Sequence, residues 1–101
     1  MTRSELCQRM AIVVPCDHCT LVQNCHRSGY RFCSEAYNAC ADDLAAVADY
    51  TVRRLIESAK HNRKVAIYRD RKLYWLKKEE YLRALLREIK KYARQERRAK
   101  K

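Results

Sequence analysis

The sequence predicts a single small α+β domain, mainly helical, with an N-terminal cysteine metal knuckle, a long central helix, a β-hairpin and a C-terminal amphipathic basic helix. Three observations indicate this fold class. All six cysteines lie between Cys7 and Cys40. Two stretches have apolar residues at helical spacing, and two apolar runs flank four charged residues. We expect one domain over residues 1–101, with a metal-binding segment at 1–40 and a helix-hairpin-helix with a basic tail at 41–101.

The knuckle begins with residues 11–14, a β-branched run that is stopped by a proline and predicts a short strand. Next come three cysteines spaced Cys16-x2-Cys19-x5-Cys25. Thiolates two residues apart can reach one ion from a tight turn. Cys33 precedes a predicted helix, whose positive amino terminus stabilises a thiolate. We therefore predict a closed structural Zn²⁺ site. Its ligands are Cys16, Cys19, Cys25 and Cys33, with Cys7, His18 and His26 in reserve.

A long central helix is predicted from Ser34, which can cap the free backbone amides, to about Asn62. Glu35 in its first turn faces the positive helix end. Cys40 lies one heptad after Cys33 and suits the helix interior, since a free cysteine behaves as a small hydrophobe. The predicted buried stripe comprises Leu44, Val47, Thr51, Leu55 and Ser58 or Ala59.

The β-hairpin is predicted from residues 65–68 and 73–76, which flank the charged turn at 69–72. Its aromatic residues lie among cations, a combination that can stack the bases of single-stranded nucleic acid. A domain this small also needs some of these rings in its core. The aromatic residues concerned are Tyr68, Tyr74 and Trp75.

The last predicted element is an amphipathic helix that Glu79 and Glu80 open. Residues 94–101 lack an apolar face, so we expect them to fray or project. The apolar face of this helix comprises Leu82, Leu85, Leu86, Ile89 and Tyr92 or Ala93.

The charge is concentrated in the second half of the chain. Residues 1–59 have a net charge of −1 and residues 60–101 have +12, which sum to +11. Such asymmetry favours a polyanionic partner, most simply DNA or RNA. We expect a small zinc-binding, nucleic-acid-binding protein with a regulatory or accessory role, such as transcription regulation. The predicted contacts are Arg63, Lys64, Arg69, Arg71, Lys72, Lys77, Lys78, Lys90, Lys91, Arg94, Arg97, Arg98, Lys100 and Lys101.

The competing hypothesis is a protein-interaction adaptor or inhibitor. Its apolar helix face, Leu82, Leu85, Leu86 and Ile89, would dock on a partner or on a second copy. Catalysis is not expected, because no phosphate-loop, nucleophile-elbow or metalloprotease motif is present. We also predict a cytoplasmic protein that is not secreted and has no membrane partner, because neither a signal segment nor a long apolar run is seen. No small-molecule substrate is expected.

A second ligand set gives an alternative metal site. With Cys7 ahead of Cys16, Cys19 and Cys25, the pattern is similar to WhiB-like iron–sulfur regulators, in which a lone cysteine precedes Cys-x2-Cys-x5-Cys and a basic tail follows. The resemblance covers these four positions and Trp75, but the first spacer is shorter than in that family and no glycine-rich turn surrounds the tryptophan. It implies a [4Fe-4S] cluster as the alternative to zinc.

Overall fold

The computed structural model describes residues 1–15, 29, 33–40 and 43–99. Four helices account for most of this part of the chain: α1 (Arg3–Val13), α2 (Cys33–Cys40), α3 (Leu44–Val65) and α4 (Arg69–Ala99). These residues contain no strand, so the predicted α+β class is wrong, although the expectation of a mainly helical chain is consistent with the structure.

Helix α1 replaces the strand predicted at residues 11–14. Its N-cap is Thr2, whose hydroxyl oxygen accepts a hydrogen bond from the Glu5 backbone amide at 3.2 Å. The pair Thr2 and Glu5 has the spacing of a capping box, which starts a helix despite the β-branched residues that follow. Val14 is extended because a residue before a proline disfavours helical geometry.

The predicted central helix is divided into α2 and α3. Asp43 is the reason, because its side chain accepts a hydrogen bond from the Ala46 backbone amide at 3.1 Å and so caps a new helix. Arg63 and Lys64 in the last turn of α3 complement the negative end of the helix dipole. Helix α3 ends at Val65, three residues later than the sequence predicts.

Helix α4 also replaces the predicted β-hairpin. It begins at Arg69, inside the expected turn, and runs for 31 residues without a glycine or proline. Trp75, Leu82 and Ile89 lie on one apolar stripe at helical spacing, so this stripe extends further back than the predicted start. At the other end, the helix continues to Ala99 through residues that were expected to fray.

Helices α3 and α4 form an antiparallel pair joined by three residues. Arg63 near the end of α3 forms an ion pair with Glu79, whereas Asp49 near its start lines a surface cavity together with Glu96 and Arg97. Helix α1 lies against both α2 and α4, and Arg3 donates hydrogen bonds to Asn38 of α2 at 2.9 Å.

The core is the layer between these helices. Its buried apolar residues come from all four of them and include Leu6 of α1, Tyr37 of α2, Val52 of α3, and Leu82 and Ile89 of α4. Glu79 is the first buried residue of α4, and in the ten residues before it only Trp75 is partly buried. About 15 Å of helix therefore precedes the first buried residue of α4.

None of the helices in the described ranges combines the length and the apolar character that a membrane-spanning segment requires.

Candidate nucleic-acid interface

The predicted metal ligands Cys16, His18, Cys19, Cys25 and His26 lie outside the described residues. Within the described ranges, no group of three or more His, Cys, Asp or Glu side chains is arranged to hold a metal ion.

The two described free cysteines are in opposite environments. Cys33 is the first residue of α2 and is exposed. Cys7 is only 2% exposed and belongs to the core. Burial raises the pKa of the Cys7 thiol, which disfavours the thiolate that binds metals, although Arg3 acts in the opposite direction. Cys33 is thus the better placed of the two to be a ligand.

Most of the predicted nucleic-acid contacts are exposed. Lys100 and Lys101 lie outside the described residues, and among the others only Arg63 is partly buried. The carboxy-terminal half of α4 carries a group of cations that we call the basic face. It consists of Arg87, Lys90, Lys91, Arg94, Arg97 and Arg98, all of them exposed.

The basic face occupies one side of α4. At 3.6 residues per turn its six side chains fall within an arc of about 120°, away from the buried stripe. Among the described residues its sole ion pair is Lys91 Nζ with Glu88 Oε1 at 3.5 Å, on the surface. A surface pair of this kind contributes about 0–1 kcal/mol, so it does not hold the lysine away from another anion. The face therefore presents nearly uncompensated positive charge.

Arg63 and Arg83 are engaged by Glu79, the one charged residue that is buried in the described part of the chain. Glu79 Oε1 accepts a hydrogen bond from Arg83 Nη2 at 2.9 Å, and Arg63 Nη2 lies 3.3 Å from Glu79 Oε2. The hydrogen bond from Arg83 is the main reason why the pKa of Glu79 lies below its usual value, and the charge of Arg63 acts in the same direction against the effect of burial. This cluster joins α3 to α4.

The three predicted base-stacking residues are separated by the helical geometry. Tyr68 is 74% exposed in the connection before α4, whereas Trp75 packs against the core. Tyr74 is half exposed and meets the Trp75 ring edge-on, with the ring centroids 5.1 Å apart. The Lys78 ammonium lies 5.8 Å from the centroid of the Tyr74 ring. Tyr68, Tyr74 and Trp75 therefore do not form one stacking platform.

The apolar face proposed for an adaptor is used inside the molecule. Leu82, Leu85 and Ile89 are buried in the core, and Leu86 is partly buried against it. This face packs on the protein's own helices and is not a free docking surface.

One surface feature was not predicted from the sequence: Ile12 lies close to Tyr74 and Tyr81. The sequence predicts these three residues in a strand, a hairpin and a helix, respectively. The available signal was the spacing of Tyr74, Lys77, Lys78 and Tyr81, which is that of one helix face.

No protein-family model, curated protein or solved structure matches the chain.

Proposed function

We propose that the protein binds nucleic acid through the basic face of α4. The observation that carries the proposal is that six exposed cations share one side of a continuous helix, with a single surface ion pair among the described residues to offset them. Phosphates neutralised by such cations release counterions, which drives association.

The dimensions of the basic face suit a phosphate backbone. From Arg87 to Arg98 it extends about 17 Å along the helix axis. That length corresponds to the axial rise of roughly five base pairs. Helix α4 is held on its opposite side by the core, so the cations are presented without the cost of ordering a loop.

The test is a fluorescence-anisotropy titration of duplex DNA, and of single-stranded DNA and RNA, across a salt series. We expect the affinity to fall steeply with salt. In the double variant Arg94→Gln/Arg98→Gln, the slope of log K against log salt for duplex DNA should decrease by about 2, since each lost phosphate contact contributes roughly 0.9.

The matched control is Arg9→Gln/Arg54→Gln. It removes the same charge from exposed positions on α1 and α3. We expect this control to retain the salt slope of the parent protein. An equal decrease of the salt slope in the two double variants would show that binding depends on net charge and not on the basic face. Absence of binding at low salt would refute the proposal.

We also propose that Cys16, Cys19, Cys25 and Cys33 hold a structural zinc ion. The sequence spacing supports this, and the exposure of Cys33 leaves its thiol accessible. Elemental analysis should find about one zinc per colourless chain. Cys33→Ser should lower that content.

Cys7→Ser is the matched control for the metal site. It should leave the zinc content unchanged while destabilising the core by about 1–3 kcal/mol, because it buries a hydroxyl. A brown preparation with iron and sulfide, whose colour is lost in Cys7→Ser and kept in Cys33→Ser, would instead favour a [4Fe-4S] cluster.

A further inference from the structure

A groove runs between the last turn of α1 and the amino-terminal half of α4. On the α4 side, Tyr74, Lys77, Lys78 and Tyr81 are spaced at i, i+3, i+4 and i+7, so they form one ridge. The complete lining consists of Ile12, Val13, Tyr74, Lys77, Lys78, Tyr81 and Leu82.

The groove is apolar and open. Ile12 is 80% exposed, Tyr74 53% and Tyr81 52%, while Leu82 at its base is 1% exposed. Trp75 packs against the core and contacts Tyr74 edge-on, which helps to fix the position of that ring. Large apolar side chains that are exposed together, and rimmed by charge, are typical of an interaction surface.

The charge around the groove determines what can occupy it. Its lining contains two cations, Lys77 and Lys78, and no acidic residue. Lys77 and Lys78 are exposed, and neither has an ion-pair partner within the described ranges. A second copy would bring an equally basic surface against this one, so the electrostatic energy opposes self-association. An acidic occupant would be attracted.

The shape and chemistry of the walls separate a protein from a nucleic acid. Ile12 and Val13 form an aliphatic wall, so only the α4 side of the groove, with Tyr74 and Tyr81, offers rings on which a base could stack. Two neighbouring helices with an apolar seam between them instead accept the apolar ridge of a third helix.

We propose that this groove binds an acidic amphipathic helix of a partner protein. Apolar side chains of that helix fill the space between Ile12 and Tyr81, and its carboxylates pair with Lys77 and Lys78. The groove lies on a different side of α4 from the basic face, so this inference does not depend on the proposed nucleic-acid binding.

The experiment uses the full chain and a fluorescent synthetic peptide of about 18 residues, which is five helical turns. The peptide has leucine at i, i+3, i+4 and i+7 and glutamate at most other positions, and a shuffled peptide of the same composition lacks the apolar ridge. We expect the amphipathic peptide to bind at least about tenfold more tightly than the shuffled one, because only its ridge fits the groove.

Two pairs of variants locate the binding. Ile12→Glu should weaken peptide binding about tenfold, whereas Ile67→Glu, at 88% exposure outside the groove, should leave it within about twofold. Tyr81→Ala should also weaken binding, and Tyr50→Ala, at 55% exposure on α3, should not. Because all four positions are exposed, each variant should fold, which circular dichroism checks.

Three results would overturn the inference. One is equal affinity for the ordered and shuffled peptides, which would reveal attraction by charge alone. Another is equal loss of binding in Ile12→Glu and Ile67→Glu. The third is a dimer in analytical ultracentrifugation that Ile12→Glu dissociates, which would make a second copy the occupant.

The two proposals can be tested independently of each other. Nucleic-acid affinity should be unchanged in Ile12→Glu and Tyr81→Ala, and Arg94→Gln/Arg98→Gln should retain peptide binding.

Discussion

Glu79 shows how one buried carboxylate can join two helices and engage nearby cations. Its side chain lies between Arg63 of α3 and Arg83 of α4. Removing one member of such a cluster leaves the remaining charges without compensation, which costs more than the net contribution of the intact pair. The cluster therefore contributes to the relative position of α3 and α4, and it engages Arg63, which the sequence assigns to a nucleic-acid surface.

Replacing this carboxylate gives a prediction about stability and pH. Glu79→Gln should lower the free energy of unfolding at pH 7 by about 1–3 kcal/mol, because the charge-assisted hydrogen bond to Arg83 is weakened. The pKa of Glu79 is lower in the folded than in the unfolded chain. The stability that Glu79 contributes is therefore complete above its pKa in the unfolded chain, near 4.5. This stability is lost as the pH falls through the lower pKa of Glu79 in the folded chain.

Urea denaturation at a series of pH values measures the effect. The variant should lose less stability on acidification below about pH 4.5 than the parent protein does, since the titrating group is gone. Glu88→Gln is the control, because its ion pair with Lys91 is on the surface and should contribute less than about 1 kcal/mol. Identical pH profiles for Glu79→Gln and the parent would contradict this account.

At the scale of elements, short polar caps decide where the helices begin. Thr2 starts α1 and Asp43 starts α3, each through a hydrogen bond to a backbone amide three residues later. Thr2 begins the helix that replaces the strand predicted at residues 11–14, and Asp43 lies in a stretch where periodicity alone predicts an unbroken helix. A single side-chain oxygen that satisfies an otherwise unpaired amide changes the element boundary.

Substitution of Asp43 tests whether the chain forms two helices here or one continuous helix. If it is an N-cap, Asp43→Ala should destabilise the protein by about 1 kcal/mol, and Asp43→Ser should recover most of the loss. If the helix were continuous, alanine would instead stabilise it by a few tenths of a kcal/mol or more, because alanine has the higher helix propensity. Thermal unfolding followed by circular dichroism gives the sign, which decides between the two structures.

At the scale of the whole molecule, α4 has two halves with different roles. Its carboxy-terminal half packs one side on the core and displays the basic face on the other, whereas residues 69–78 extend beyond the level of the Arg63–Glu79 pair. The same helix therefore provides core, cationic surface and one wall of the apolar groove.

Because the two halves differ, we expect replacement of apolar side chains by alanine to destabilise the protein by different amounts along α4. Ile89→Ala should destabilise the protein by about 2–5 kcal/mol, since the side chain is 1% exposed and a cavity would remain. Leu73→Ala, at a position that is 50% exposed, should cost less than about 1 kcal/mol. Chemical denaturation of both variants provides the comparison, and a large loss for Leu73→Ala would mean that the start of α4 is packed against the core.

Local pattern was sufficient for part of this structure. The helical stripe from Leu82 to Tyr92 repeats over several turns, so its helical state and its inward face were predictable before any contact was known. The positive charge of the second half is likewise a property of composition. Zinc binding by Cys16, Cys19 and Cys25 remains a prediction from spacing.

Local pattern failed where short apolar runs fit both a strand and a helix. Residues 11–14 and 65–76 contain β-branched and aromatic residues that favour strands, but Val13 and Trp75 pack against the core from helices. In a chain of this size, the decision depends on which backbone geometry brings side chains from distant segments into the same core.

The amino-acid sequence by itself determined the amphipathic character of the last helix and the position of the charge, because both depend only on the order of residues along the chain. The tertiary structure alone decided that α1 and the start of α4 are helices, that Arg63 and Arg83 meet Glu79, and that Ile12 lies beside Tyr74 and Tyr81. These features join residues far apart in sequence, and the free energy of burying them together outweighs the local preference of each segment.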